Sequence, residues 1–163
     1  MIITSRVRKA TRADAPELMG LCRDLHAENG MFEMDEAKVA AMLEKAFLQQ
    51  GAIIGALGPT GAIEGAIFML ISSFWYTNDW CLEELFNYVK PEHRRSTNAK
   101  ELINFGKRCS DELGIPLVIG VVSNERTKAK VGLYQRQLAD PVGAYFLHRP
   151  ASAAPAEARQ AVG

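Results

Sequence analysis

The sequence predicts an α/β (α+β) domain, one mixed β-sheet flanked by helices, and three observations carry that prediction. The apolar residues change from a helical period to a β period after residue 50. The β-rich stretch that follows, up to residue 89, is broken by turn residues. A short, continuously apolar run at 117–122 then follows a helical segment, as in a βαβ crossover. A chain of 163 residues is the size of one domain, read here as residues 1–149 followed by an Ala/Pro-rich, mobile tail at 150–163.

Residues 2–9 mix β-branched and basic side chains at roughly period two and read as a first strand, with Ile3, Ser5 and Val7 on one side. Thr11 or Asp14 offers a helix N-cap and Pro16 suits the first turn. Leu18, Leu21, Cys22 and Leu25 then form a helical stripe that stops at Asn29-Gly30. A second helix is predicted over 35–50 from the stripe Val39, Met42, Leu43, Ala46 and Phe47. The runs 51–58 and 62–73 read as a hairpin around Gly58-Pro59-Thr60-Gly61, and 80–89 as a third strand of that group.

A helix is predicted over 98–113, with Leu102, Ile103, Gly106, Cys109 and Leu113 inward and Gly114-Ile115-Pro116 closing it. Residues 117–122 read as a strand buried on both faces, 124–138 as a helix and 142–147 as a last strand. The order is therefore β-α-α-β-β-β-α-β-α-β.

Nineteen Lys and Arg balance nineteen Asp and Glu, so the formal charge is zero, which disfavours broad nucleic-acid or anionic-membrane surfaces. The longest apolar run is far shorter than a bilayer span, and no signal peptide or membrane anchor is read. Cys22, Cys81 and Cys109 are scattered, without CxxC or Cys/His ligand spacing, so neither a disulfide framework nor a metal site is expected and a reducing cytoplasm is the expected compartment. His26, His93 and His148 are isolated and support no metal site.

The local distribution of charge is more informative. Around the start of the 98–113 helix stand His93, Arg94, Arg95 and Lys100, with no acid between Glu92 and Glu101. Helix N-termini carry partial positive charge and unpaired amides, and normally recruit acids. Cations there fit an external anion such as phosphate. The same residues also fit a solvated basic turn capped by Asn98, with Glu101 three residues on as in a capping box.

Residues Arg94-Arg95-Ser96-Thr97-Asn98-Ala99, after a strand ending in Val89 and Pro91, resemble the Arg/Gln-x-x-Gly-x-Gly/Ala motif of the GNAT family of N-acetyltransferases. The block 121–138, with Asn124 and Leu133-Tyr134, is similar to a second family segment, and the likeness extends over about residues 7–147. Thr97 replaces the motif's first glycine, and the Gly-Phe common after the Tyr is absent. The segment WCLEELFNYVKPEHRR looks like a branch frequent among phage-encoded proteins, in which a strand Glu, here Glu84, precedes an aromatic-rich stretch.

The resemblance implies acetyl-CoA as co-substrate, with Arg94, Arg95, Ser96, Thr97, Asn98, Ala99 and Lys100 at its diphosphate. It also implies that the backbone of Asn87, Tyr88 and Val89 pairs with the pantetheine arm like an added strand. Lys128 and Lys130 are candidates for the 3′-phosphate, and Asn124 is either a partner of the arm or a helix N-cap. A protonated amine needs a base, and Glu84, mid-strand among Leu82, Leu85 and Phe86, is the candidate. On periodicity Tyr134 is a core residue beside Val131 and Leu138; the family match makes it the acid toward the departing thiolate. Phe74, Trp75, Tyr76 and Trp80, with Asp79, border the acceptor amine's site or form a homodimer surface. The rival expectation is a GNAT-like CoA-binding or protein-interaction module without catalysis.

Overall fold

The computed structural model describes residues 5–123 and 126–150. Asn124, Ile3 and the tail from residue 151, all assigned above, lie outside the described residues. Five strands form one sheet in the order β1-β2-β3-β4-β5: β1 (Val7–Lys9), β2 (Ala52–Leu57), β3 (Gly65–Ser72), β4 (Cys81–Val89) and β5 (Leu117–Val118). The first four run antiparallel to their neighbours, and β5 pairs parallel to β4 after the crossover. Among the described residues the fold also has four α-helices, α1 (Ala15–Asn29), α2 (Glu36–Phe47), α3 (Asn98–Leu113) and α4 (Thr127–Gln137), and two single 3-10 turns, Arg12–Asp14 and Pro91–His93.

Alternation along the strands divides the core in two. Ala66 and Phe68 of β3 face a cluster with Leu18 and Leu21 of α1 and Leu43 of α2. Ile67 and Met69 face the opposite cluster, with Leu102, Phe105 and Cys109 of α3. The α3 side is tight at Gly55, where a Cβ would stand 2.6 Å from the Phe105 ring. Only glycine lets the helix pack this close to β2.

The helix starts are fixed by specific polar contacts. Asp14, fully buried, accepts both ends of the Arg8 guanidinium fork at 2.8 Å and the Thr60 hydroxyl at 2.7 Å. One carboxylate thus ties β1, the start of α1 and the β2–β3 turn together. Asp35 caps α2 by accepting from the Lys38 amide at 3.0 Å. Gly114, in the left-handed conformation at φ 67°, ends α3 as the sequence predicts.

Five expectations are corrected. Asn98 is the first residue of α3 and Thr97 its N-cap, because the Asn98 side chain is buried and points to Glu64. Leu113 is 44% exposed, at the point where the chain turns off the helix. Ser5 is exposed, while Val7 is buried as expected. No strand forms at 142–147: the segment is exposed, and Arg149 ties its end to the α1–α2 loop by donating to the Met31 carbonyl at 2.7 Å. Consequently β5 is a short sheet edge, and its residues are half-buried where burial on both faces was expected.

Candidate functional site

The centre of β4 is irregular. Phe68 faces Phe86, yet the next residue, Met69, faces Glu84, so Leu85 is an extra residue bulged out of the ladder. Directly paired residues point to the same face of a sheet, so the bulge turns Glu84 to the α3 side with Met69, and Asn87 follows to that side with Ile67. In an unbulged strand Glu84 would share the opposite face with Phe86.

Beyond Glu83 and its partner Val118, β4 and β5 part, which leaves the later half of β4 with one unpaired edge. The Lys90 amide donates to Glu64 O at 2.9 Å, which fixes the phase of the antiparallel ladder. By its alternation, Tyr88 exchanges its backbone bonds with Ala66, and the amides of Asn87 and Val89 face the open edge. Two of the three backbone positions assigned to the pantetheine arm therefore point outward, and Tyr88 points to β3. The Tyr88 side chain instead packs in the α1–α2 cluster and donates to Glu28 at 2.8 Å.

Glu84 lies at the apex of this opening. Its Oε2 accepts from the Gly120 amide at 3.2 Å, bridging the two diverging strands. Desolvation pushes its pKa up to about 8, although the Gly120 amide and the charge of Lys130 pull the other way. Tyr134 of α4 is close enough to feel the Glu84 charge; burial and that charge raise the phenol above its ordinary value, while the adjacent Asn87 side chain lowers it. Asn87 Oδ1 is buried without a hydrogen-bond partner among the described residues. Lys130, on the first turns of α4, has its pKa lowered by burial, with Glu84 and Glu28 opposing that effect.

A narrow cleft of about 40 Å³ continues along β4, lined among others by Asn87, Val89, Arg94, Arg126 and Lys130. The structure brings Glu84, Asn87, Tyr134 and Lys130 together, with Arg94 beside them. Arg94 is not free, however: its Nη2 donates to both oxygens of Glu28 at 2.7 and 2.8 Å, and its Nε to Val89 O at 2.8 Å. Burial raises the Glu28 pKa, but Arg94 and Tyr88 outweigh it and the net value is lowered.

The remaining motif residues divide by environment. Arg95, Ser96, Thr97 and Lys100 are exposed around the α3 N-terminus, and Ala99 packs against the α3-side core. Thr97 has φ −81°, an ordinary conformation for a residue with a side chain, and its hydroxyl donates to Glu101 at 2.9 Å. The Asn98 side chain serves the fold: it donates to Glu64 at 2.7 Å, and Arg6 donates to the same carboxylate at 2.5 Å. This pins the loop before α3 against the β2–β3 turn. Lys128 is exposed on α4 and is not among the residues lining the cleft. The aromatic turn is also exposed, with Trp75 and Tyr76 in edge contact at 5.6 Å.

Glu28 is the residue that sequence reasoning missed, together with Ser123 and Arg126 of the cleft. Only Arg126 left a signal, as the first cation of the acid-free run opening α4. Among the described residues no cluster of metal-ligating side chains occurs, and no helix is long and apolar enough to cross a membrane.

No protein-family model matches the sequence, and no curated protein matches it. Solved structures do match. AAC(6′)-Iy in complex with the bisubstrate analogue CoA-S-monomethyl-acetylneamine is similar at a TM-score of 0.68 and 17% identity, over 88% of this chain and 96% of that one. A ribosomal-protein-alanine N-acetyltransferase from Brucella melitensis biovar Abortus 2308 gives 0.67 and 17%, over 88% and 97%. An aminoglycoside acetyltransferase, meta-AAC0020 from an uncultured soil metagenomic sample, gives 0.67 and 15%, over 88% and 95%. The chain has the fold of these acetyltransferases.

Proposed function

We propose that this chain is a GNAT-family N-acetyltransferase, moving an acetyl group from acetyl-CoA to a primary amine by direct transfer. The observation that carries the reading is the convergence of Glu84, Asn87 and Tyr134 where β4 and β5 part, beside an unpaired strand edge. That edge suits the amide-bearing pantetheine arm, with the Asn87 and Val89 backbone as its partners. The orphaned Asn87 Oδ1 is a further acceptor within the same opening. Arg95, Lys100 and the α3 amides suit the diphosphate, with Ser96, Thr97 and Ala99 forming the turn around it. Arg94 joins them by exchanging Glu28 for phosphate oxygens, and Lys128 and Lys130 are left for the 3′-phosphate.

Acetyl-CoA supplies the activated thioester. Glu84, tuned to about 8, takes the proton from the incoming ammonium, near enough to neutrality to be partly ionised in the resting protein. Tyr134, whose raised pKa keeps it protonated, donates its phenolic proton to the departing thiolate. The amine nitrogen forms the new C–N bond as the C–S bond breaks, and the second proton that the nitrogen gives up returns to the Tyr134 oxygen. The acceptor is a small-molecule or peptide amine, the compartment is the cytoplasm, and the segment around Glu84 resembles the phage-associated branch.

Two observations favour a second reading, a CoA-binding or interaction module without turnover: Arg94 is already satisfied by Glu28 and the cleft is narrow. Calorimetric titration with acetyl-CoA, followed by an amine panel with free-thiol detection, separates the two. Binding with thiol release supports the enzyme, binding alone supports the CoA-binding module, and no binding at millimolar ligand removes both the enzyme and the phosphate site and leaves an interaction module.

A further inference from the structure

The edge of β4 is open where β5 leaves it, yet the carbonyl at its end is already taken. Val89 faces Gly65 as a non-hydrogen-bonded pair, so its N–H and C=O both point away from β3. That carbonyl accepts from Arg94 Nε at 2.8 Å. An arm that adds to this edge like a strand needs the same carbonyl for one of its own amides. The Arg94 guanidinium therefore stands where the arm has to lie.

Arg94 is held there from the α1 side of the cleft. Its Nη2 donates to both Glu28 oxygens at 2.7 and 2.8 Å, and the guanidinium carbon lies 5.2 Å from the centre of the Tyr88 ring. The Tyr88 hydroxyl donates to the same carboxylate at 2.8 Å, which aims Glu28 at Arg94. Glu28 is in the last turn of α1, where the partial negative charge of a helix C-terminus disfavours a carboxylate. Contacts across the chain, not its own helix, keep it in place. The pair is also within reach of solvent, with side-chain exposures of 21% for Arg94 and 33% for Glu28, unlike the fully buried Asp14 in its pair with Arg8. A contact of that kind can open.

We propose that Glu28 and Arg94 form a latch across the donor edge. Closed, it keeps the guanidinium on the Val89 carbonyl; open, it releases that carbonyl to the arm and Arg94 to the donor's phosphates. The latch rests on the reading of the β4 edge as the site of the pantetheine arm. The apparent affinity for any donor is its affinity for the open form multiplied by the open fraction. Glu28 thereby sets donor affinity without touching the donor. Two charge-assisted bonds in a partly exposed pair hold the open fraction on the order of a tenth.

Calorimetric titration of the full chain with acetyl-CoA and with acetyl-pantetheine tests this. Glu28→Gln keeps an acceptor for Tyr88 but removes the charge that holds Arg94, and should tighten acetyl-CoA by about three- to tenfold. Glu28→Asp shortens the side chain by a methylene and should give a smaller gain in the same direction. Acetyl-pantetheine has the arm but neither phosphate nor charge, and should gain by the same factor, because the latch acts at Val89. Tightening seen with acetyl-CoA alone is the loss of a repulsion between anions and overturns the latch. A merely structural ion pair gives a lower Tm and no gain in affinity. If the wild type binds acetyl-CoA and Glu28→Gln gains nothing, the latch alone falls; if no protein binds acetyl-CoA, the reading of the β4 edge falls and the latch with it. Loss of the native fold in both variants, seen by circular dichroism, also overturns the latch, because a contact that opens at each binding event cannot be required for folding.

Discussion

Replacing Glu84 by Gln should make the protein more stable at alkaline pH while removing its turnover. Glu84 has its pKa raised from 4.5 to about 8, so the folded state holds a proton that the unfolded state has released. Below pH 4.5 both states are protonated and the effect vanishes. As pH rises above 4.5 the unfolded chain ionises first and stability falls; the fall ends once pH passes about 8 and the folded carboxyl ionises too. At about 1.36 kcal/mol per pH unit, the interval from 4.5 to about 8 sets a ceiling of about 5 kcal/mol. Solvent reaching the half-buried carboxyl reduces that to on the order of 2–4 kcal/mol, or about 5–15 °C in Tm for a chain of this length. Gln keeps the shape and the acceptor for Gly120 N–H without the ionisation. Urea unfolding of both proteins at pH 5 and pH 9 measures the effect: Glu84→Gln should gain much more stability relative to wild type at pH 9 than at pH 5. An equal difference at both pH values would refute the raised pKa and, with it, the argument for Glu84 as the base.

The other predictions follow from the same contacts. Lys130→Met removes a charge that favours ionised Glu84, so the acid limb of the kcat/KM profile should move up by as much as about one pH unit, as read from initial rates against pH. Tyr134→Phe should lower kcat by roughly 10- to 1,000-fold and leave the acetyl-CoA Kd within about threefold; an unchanged kcat removes the proposed role. Asp14→Asn breaks a buried ion pair and should cost about 2–4 kcal/mol in urea unfolding. Arg8 holds the Asp14 pKa far below the ordinary 3.8, so that contribution is present above about pH 4 and is lost as pH falls further.

Much of this arrangement is legible locally. Helix α3 runs over Asn98–Leu113 as its stripe and Gly114 require, and the β2–β3 hairpin sits where Pro59 and the flanking glycines place the turn. Glu84 stood out as a carboxylate among apolar strand residues, and the adjacent Leu85 and Phe86 break the alternation at the bulge. What local reasoning could not supply was partnership across the chain. Glu28 reaches Arg94 over 66 residues, and nothing near the helix end marks it as an anion partner. Asn98 looks like a cap by residue type, yet Glu64, 34 residues away, captures its side chain. The 142–147 segment has strand composition, but composition does not provide a neighbouring strand.

The central claim is that the open edge of β4 takes the acyl donor, and amide hydrogen exchange with and without acetyl-CoA tests it residue by residue. The Asn87 and Val89 amides should become protected on addition of acetyl-CoA, while Tyr88, already bonded to Ala66, should change little. Unchanged exchange at Asn87 and Val89 in protein saturated with acetyl-CoA would contradict the account.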